Sequence, residues 1–326
     1  MVKYLVIRFS SIGDIVLTTP VLRCLKEQVK EAEVHFLTKK EFLPVIRANP
    51  NIDKIHILDG NMHALLQSLK MEQFDYIIDL HRNIRSLRVK SSLKIMSFTV
   101  NKINLAKFLM IRFKVNQLPD KHIVDRYMET VRLFDVTNDG KGLDYFIPPE
   151  DEVALSSLPG PFRSGYVALV AGAMHGTKQM PVEKMITICR ELDLPVILLG
   201  GKRETVIGKE IDNHTGDLVL DTCGQYNINQ SASLVRQSRV VITHDTGLMH
   251  IAAAFHKKIL SVWGHTIPAF GMYPYLPDRA SKIFEVVGLS CRPCTKIGKK
   301  KCPKGHFRCM NDIDHREIVR TAKKIY

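Results

Sequence analysis

The chain has 326 residues, 45% of them hydrophobic and 25% charged, which is long for a single core and sets an expectation of two domains. Lysine and arginine exceed aspartate and glutamate by 47 − 33 = 14, which points to an acidic partner: nucleic acid, a phosphorylated ligand or an anionic membrane surface. No apolar run approaches the roughly 20 residues needed to cross a bilayer, so a membrane-spanning helix is excluded.

The start, "MVKYLVIRFSS", reads as a first strand rather than a signal peptide, and a cytoplasmic residence is expected. Further β-prone apolar runs lie at 33–38, 54–58 and 75–80, then at 166–171, 195–200, 218–221, 239–244 and 258–264. Segments of helical character, such as 20–30 and 182–192, separate them. This alternation predicts parallel sheets with crossover helices. Residues 147–165, with four prolines and two glycines, read as a linker. The expected domains are therefore 1–155 and 156–326, both Rossmann-like, with ligands in a cleft at the carboxyl ends of the strands.

The first loop, "RFSSIGDIVLTTPVLRCL" (8–25), leaves a strand and places a lone carboxylate, Asp14, directly after Gly13 at a helix start. Asp14 is either a helix cap or a group with chemistry to do. Arg82, Arg85 and Ser86 follow the strand at 75–80. In the second half, "VVITHDTGLMHIAAAF" ends a buried strand at His244-Asp245-Thr246-Gly247 and opens a small-residue helix. Free N–H groups at such a helix start form an anion site, with Asp245 as a plain N-cap the alternative. "VAGAMHGTKQMPVEKM" brings Thr177 and Lys178 after another strand, where the lysine either meets a diphosphate or stays a solvated loop cation. "LLGGKRETVIGKEI" brings Glu204, a ribose acceptor or a first-turn acid. None of these loops is GxGxxG or a Walker sequence, which weakens dinucleotide and P-loop readings.

From Arg82 to Arg126 there are eleven basic residues and only two acids, Asp120 and Asp125, with apolar residues interleaved. That stretch is either a membrane-docking flank or a solvated basic face. Cys291, Cys294, Cys302 and Cys309 cluster near the end beside His306. They have the makings of a structural zinc site, with free thiols or a disulfide the alternatives. The tail's seven basic residues lack a clear aromatic platform, so no nucleic-acid partner is expected. The one D-x-D, Asp312-Ile-Asp314, lies away from any strand end and is read as chance.

Taken together, "IRFSSIGDIVLTTPVL", "IIDLHRNIRS", "GTKQMPVEKM", "DTGLMHIAAAFHKKILSVWG" and "CRPC…CPKGHFRCMNDI" resemble glycosyltransferase family 9, the ADP-heptose:lipopolysaccharide heptosyltransferases. The resemblance implies an α/β GT-B fold of two doubly wound Rossmann-like domains, with an acceptor on the first and a nucleotide sugar on the second. It implies Asp14 as general base, with Ser11, Gly13, Arg82, Arg85 and Ser86 on the acceptor side. Thr177, Lys178, Glu204, Asp245, Thr246, Gly247, Leu248 and His250 would hold the donor. It implies inverting transfer from ADP-heptose to a lipopolysaccharide core on lipid A, at the inner-leaflet surface, with no metal required for catalysis. The alternatives are another nucleotide sugar or glycan acceptor, or a non-catalytic scaffold. Two positions depart from the family pattern: Gln179-Met180 where an aromatic is frequent after the lysine, and Gly264-His265-Thr266 where "GPT" is common.

Overall fold

The computed structural model describes all residues, 1–326. The elements run β1 (Val2–Ile7), α1 (Ile12–Val16), α2 (Thr19–Gln28), β2 (Ala32–Lys39), α3 (Leu43–Ile46), β3 (Lys54–Leu58), α4 (Met62–Met71), β4 (Tyr76–Asp79), α5 (Ile84–Leu93), β5 (Met96–Thr99), α6 (Asn104–Phe113) and α7 (Ile123–Met128). Then come α8 (Gly160–Arg163), β6 (Val167–Val170), α9 (Val182–Leu192), β7 (Val196–Leu199), α10 (Thr205–Asn213), β8 (Val219–Asp221), α11 (Ile228–Gln237), β9 (Val240–His244), α12 (Gly247–Ala254), β10 (Lys258–Trp263), β11 (Lys282–Glu285), α13 (Arg308–Asn311) and α14 (His315–Ile325).

The chain divides into two compact units. One is Met1–Ile103 with Lys121–Phe146, and the other is Asn104–Asp120 with Ile147–Tyr326. The division falls at 146/147 rather than near 155, because the proline-rich stretch packs on the second unit. There Asp151 accepts hydrogen bonds from Asn227 Nδ2 and Asn229 Nδ2, both at 2.8 Å, and Val153 N–H donates to Ser233 Oγ at 3.0 Å.

In the first unit the sheet order is β3-β2-β1-β4-β5, and in the second it is β11-β10-β9-β6-β7-β8. Every pairing is parallel. Parallel neighbours need helical crossovers that cover both faces, so central strands read as unbroken apolar runs. β6, β7 and β9 are buried at every residue. The nine strand runs expected from sequence are present. β5 and β11 were not expected: both are four-residue edge strands with exposed positions, too short and mixed to stand out. The tail is no appendage, since Met310, Ile313, Ile318, Val319 and Ala322 join the core of the second unit beside Met185, Ile188 and Leu192 of α9.

Helix α6 is unusual in the second unit. None of its residues is buried, and Leu105, Phe108 and Phe113 are exposed at 71%, 55% and 59%.

Six histidines lie buried in these units: His35, His56, His122, His244, His250 and His265. Burial, the largest cause for each, holds the pKa of His56, His244 and His265 to about 4. His244 Nε2 accepts Met180 N–H at 3.0 Å, a bond that needs the neutral ring. Folded values below the usual 6.5 mean that the unfolded chain takes up protons first. Their contribution to stability is present above pH 6.5 and is lost as pH falls toward 4, by roughly 1.4 kcal/mol per histidine per pH unit. The denaturant midpoint should therefore drop between pH 7 and 5. A flat midpoint over that range would show that these rings protonate freely in the native state.

Candidate functional site

In the first unit β1 ends at Ile7 with its last four residues buried, and the chain turns into the short helix α1. Ser11 is the N-cap and Asp14 the third helical residue. Asp14 Oδ2 accepts the Ser11 hydroxyl at 2.8 Å and the Ser11 N–H at 3.3 Å. This is half of the reciprocal cap that Ser/Thr-x-x-acid sequences make. The other oxygen, Oδ1, lies 2.6 Å from Arg8 Nη2. Arg8 is buried, and also donates to Ser10 O at 2.7 Å, Leu80 O at 2.6 Å and the Tyr127 hydroxyl at 2.9 Å. Burial opposes the charge on Arg8, but Asp14, Tyr127 and Asp79 outweigh it and raise its pKa. Asp14 thus caps its helix and is also held by a guanidinium, with its side chain 23% exposed. Gly13 is buried and Ser11 exposed.

β4 ends at Asp79, which is fully buried. Its Oδ1 accepts the N–H groups of His81 at 3.0 Å and Arg82 at 2.7 Å, and its Oδ2 lies 3.1 Å from Lys90 Nζ. Sequence reasoning passed over His81. Its ring stands edge-on to Phe9 at 5.4 Å, and its Nδ1 has no hydrogen-bond partner. Burial first, then the charges of Arg8 and Lys102, lower its pKa to about 3, so the ring is neutral at physiological pH. Arg82 donates from Nη1 to Val100 O at 3.3 Å. Ser86 is not an acceptor contact. It is fully buried, and its hydrogen bonds go to Asn83 as the cap of α5. Arg85 faces outward into a groove of about 610 Å³, with Lys39, Lys40, Arg88, Glu41 and Asp59 among its lining. Lys39 pairs with Glu41 at 3.1 Å and Lys40 with Asp59 at 2.9 Å, whereas Arg85 and Arg88 make no ion pair.

In the second unit Lys178 and Asp245 meet. Lys178 Nζ lies 2.5 Å from Asp245 Oδ2, which also accepts the Thr266 hydroxyl at 3.0 Å. These residues come from the loops after β6, β9 and β10. Asp245 therefore orients the lysine rather than capping a helix. Thr246 is the N-cap of α12, and its side chain makes no cap bond. Its Oγ1 lies 3.3 Å from Thr243 Oγ1, which leaves the N–H groups after Gly247 open to an anion. Leu248 is partly buried and His250 buried in that helix. Glu204 Oε2 accepts Gly201 N–H at 2.8 Å. A Cβ on Gly172 would lie 2.1 Å from Glu204 Cγ, so the glycine there makes room for this acid.

Thr177 is placed differently from expectation. It is 2% exposed, and its hydroxyl and N–H both bond Lys299. The two departures from the family pattern also find places. Met180 is buried in the core rather than facing a ligand. His265 is 2% exposed, with Nδ1 3.1 Å from Thr177 O.

The tail thiols form a local set. Cys291 Sγ lies 3.8 Å from His306 Nε2, and Cys294 Sγ donates to Cys291 O at 3.1 Å. Burial, then the neighbouring thiols, pushes Cys309 up to about 11 and raises Cys294. Thiolate sulfurs with a nearby imidazole are a donor set that zinc accepts. The donor atoms that lie within 4.8 Å of one another, however, belong to His35, His56 and Glu72. Lys54 Nζ at 2.5 Å and Lys3 Nζ at 3.9 Å already neutralise Glu72, and His35 Nδ1 bonds His56 Nε2 at 2.9 Å. Two ammonium groups make that cluster a poor cation site, and it serves to tie β2 and β3 to the end of α4. Asp312 pairs with Arg308 at 2.7 Å and Asp314 caps α14, so the D-x-D is structural.

A family model described as glycosyltransferase family 9 (heptosyltransferase) matches residues 62–304. The chain is 24% identical to lipooligosaccharide heptosyltransferase 2 of Haemophilus ducreyi and 21% identical to lipopolysaccharide heptosyltransferase 1 of Campylobacter coli, with 99% of each chain covered in both cases. Among solved structures, ADP-heptose lipopolysaccharide heptosyltransferase II of Escherichia coli matches at a TM-score of 0.75 and 17% identity, covering 99% of this chain and 98% of that one. A glycosyl transferase family 9 protein from Veillonella parvula matches at 0.77 and 18%, covering 99% and 96%. These likenesses give the fold as GT-B. Because the family model spans well over half of its length, the chain belongs to glycosyltransferase family 9 and is a glycosyltransferase.

Proposed function

We propose that this enzyme transfers a heptose from ADP-heptose to the inner core of lipopolysaccharide, inverting the anomeric centre, without a catalytic metal and at the cytoplasmic face of the inner membrane. The observation that carries the reading is Asp14: a part-exposed carboxylate fixed at the carboxyl end of β1 by Ser11 and Arg8 in a chain of this family. The relatives' printed activities support heptose as the sugar.

An acceptor hydroxyl attacks the anomeric carbon, and the bond from that carbon to the phosphate oxygen of ADP breaks. Asp14 accepts the hydroxyl proton. The electron pair leaves on the ADP phosphate, where Lys178 and the open N–H groups of α12 meet the growing negative charge. Glu204 Oε1 is left to accept a ribose hydroxyl. Arg85 and Arg88 suit the carboxylates or phosphates of an acidic acceptor. Asp14→Asn keeps the shape and removes the base. Turnover should fall by roughly 10²–10⁴-fold while ADP affinity holds. Turnover within about threefold of wild type would remove Asp14 from this role, since the threshold lies well below that loss.

Charge stabilisation by Lys178 and backbone N–H groups uses no exchangeable ion. Brief EDTA treatment should leave the rate intact. If the tail cysteines hold a structural zinc, prolonged chelation should lower the melting temperature first. An immediate loss of rate that Mg²⁺ restores would contradict the reading.

Helix α6 supports the membrane partner. No helix is long and apolar enough to cross a membrane. The outward residues Leu105, Phe108, Arg112 and Phe113 combine apolar and basic groups. Phe108 and Phe113 meet edge to face at 6.0 Å, with Arg112 stacked 5.9 Å from the Phe113 ring. The stretch 101–119 holds no acid, which matches an anionic bilayer. Sedimentation should show the protein on phosphatidylglycerol vesicles and largely off phosphatidylcholine vesicles. Phe108→Asp should cut that binding roughly tenfold or more, since a charge replaces an inserted ring, and spare turnover on a soluble acceptor. Equal binding to both vesicles, or self-association instead of binding, would overturn this assignment.

A further inference from the structure

The cysteine-rich segment has no role in the reaction as described, yet it reaches the donor loop. Thr177 N–H donates to Lys299 O at 3.1 Å, and the Thr177 hydroxyl donates to the same oxygen at 3.1 Å. Lys299 N–H donates back to Thr177 Oγ1 at 2.9 Å. The two backbones touch. A Cβ on Gly176 would lie 2.3 Å from Lys300 O, and one on Gly298, whose φ is +143°, would lie 2.5 Å from His175 Cβ. The segment is anchored on its other side as well. Buried Arg292 donates to Gly264 O at 2.5 Å and Thr266 O at 2.7 Å, and Cys294 N–H donates to His265 O at 3.2 Å. His265 Nδ1 returns to Thr177 O at 3.1 Å.

We infer that residues 292–300 are a built part of the donor site: a clamp in which Thr177 and Lys299 act as positioning residues that hold the adjacent Lys178 against Asp245 before a nucleoside diphosphate arrives. The inference rests on Lys178 meeting the donor diphosphate. A lysine on an unrestrained loop would give up conformational freedom on binding, and the clamp has already taken that freedom away. The clamp grips the loop at Thr177, one residue before the lysine. Its loss should therefore be felt in donor affinity and in the departure of ADP, and not in acceptor KM.

The test compares Thr177→Val, Thr177→Ser and Lys178→Ala in the full chain. ADP affinity is read by calorimetry, and the KM of each substrate and kcat by turnover. Valine keeps the shape and removes the hydroxyl that both gives and takes a bond. It should weaken ADP binding and raise donor KM roughly tenfold, the equivalent of one net hydrogen bond, with kcat lowered alongside and acceptor KM little changed. Serine should restore wild-type values. If Lys178→Ala loses ADP affinity and Thr177→Val does not, the donor site stands and the clamp falls. If Lys178→Ala also binds ADP normally, the donor reading falls and takes the clamp with it. Should the valine variant fail to fold, amide exchange of the wild type decides. A protected Thr177 N–H supports the clamp, and exchange at the rate of an open loop overturns it.

Discussion

A parallel sheet sends the carboxyl ends of all its strands to one edge, and everything functional in this chain depends on that constraint. β1 and β4 are neighbours, so the loops after them bring Asp14, His81 and Arg82 to one edge of the first sheet. β6, β7, β9 and β10 do the same for Lys178, Glu204, Asp245 and His265 in the second. The strands supply rigidity through complete burial, and the loops supply chemistry because only they escape it. Gly172 is the cost of crowding these loops together, since any side chain there would displace Glu204.

Charge is handled differently at the sites and at the surface. Arg8 and Lys178 each pair with one acid at the functional edge, at 2.6 Å and 2.5 Å. A cation fixed in this way has already lost its side-chain freedom, and a ligand anion can share it without ordering it. A purely structural pairing is seen where Arg23 Nε meets Asp139 at 2.7 Å, its guanidinium also reaching Asp144, which ties α2 to the loop before the second unit begins. There the guanidinium, countered in part by burial, holds Asp139 at about 2. Arg85, Arg88 and the outward face of α6 are left without such partners inside the chain.

The tail shows how a segment far along the chain becomes part of a site. Helix α14 returns to the core beside α9, and Lys184 Nζ of α9 bonds the carbonyl oxygens of Met310, Asn311 and Ile313 at 3.0, 2.7 and 2.5 Å. With the tail so anchored, the cysteine-rich stretch is carried past the ends of β6 and β10. The same fold that makes the four thiols neighbours also makes Lys299 the partner of Thr177. Any metal or oxidation chemistry at those thiols would act on a stretch that touches the loop carrying Lys178.

The sequence by itself determined the period of the fold, the two parallel sheets and the loops that matter, because buried parallel strands must be continuous apolar runs and turns after them need glycine or a capping residue. It marked Asp14, Lys178, Glu204 and Asp245 for the same local reason. It passed over β5 and β11, whose short mixed segments carry no period. The resemblance put Ser86 and Thr177 beside ligands, and local pattern gave no sign that one bonds Asn83 at the start of α5 and the other Lys299. Tertiary structure alone decided the rest. Arg8 is six residues from Asp14, yet turns back onto it only because Leu80 O and the Tyr127 hydroxyl hold its guanidinium. Lys178 meets Asp245 and Thr177 meets Lys299 across 67 and 122 residues of chain. Local propensity carries no record of such pairings, because they form only when folding brings separate strand ends to one edge.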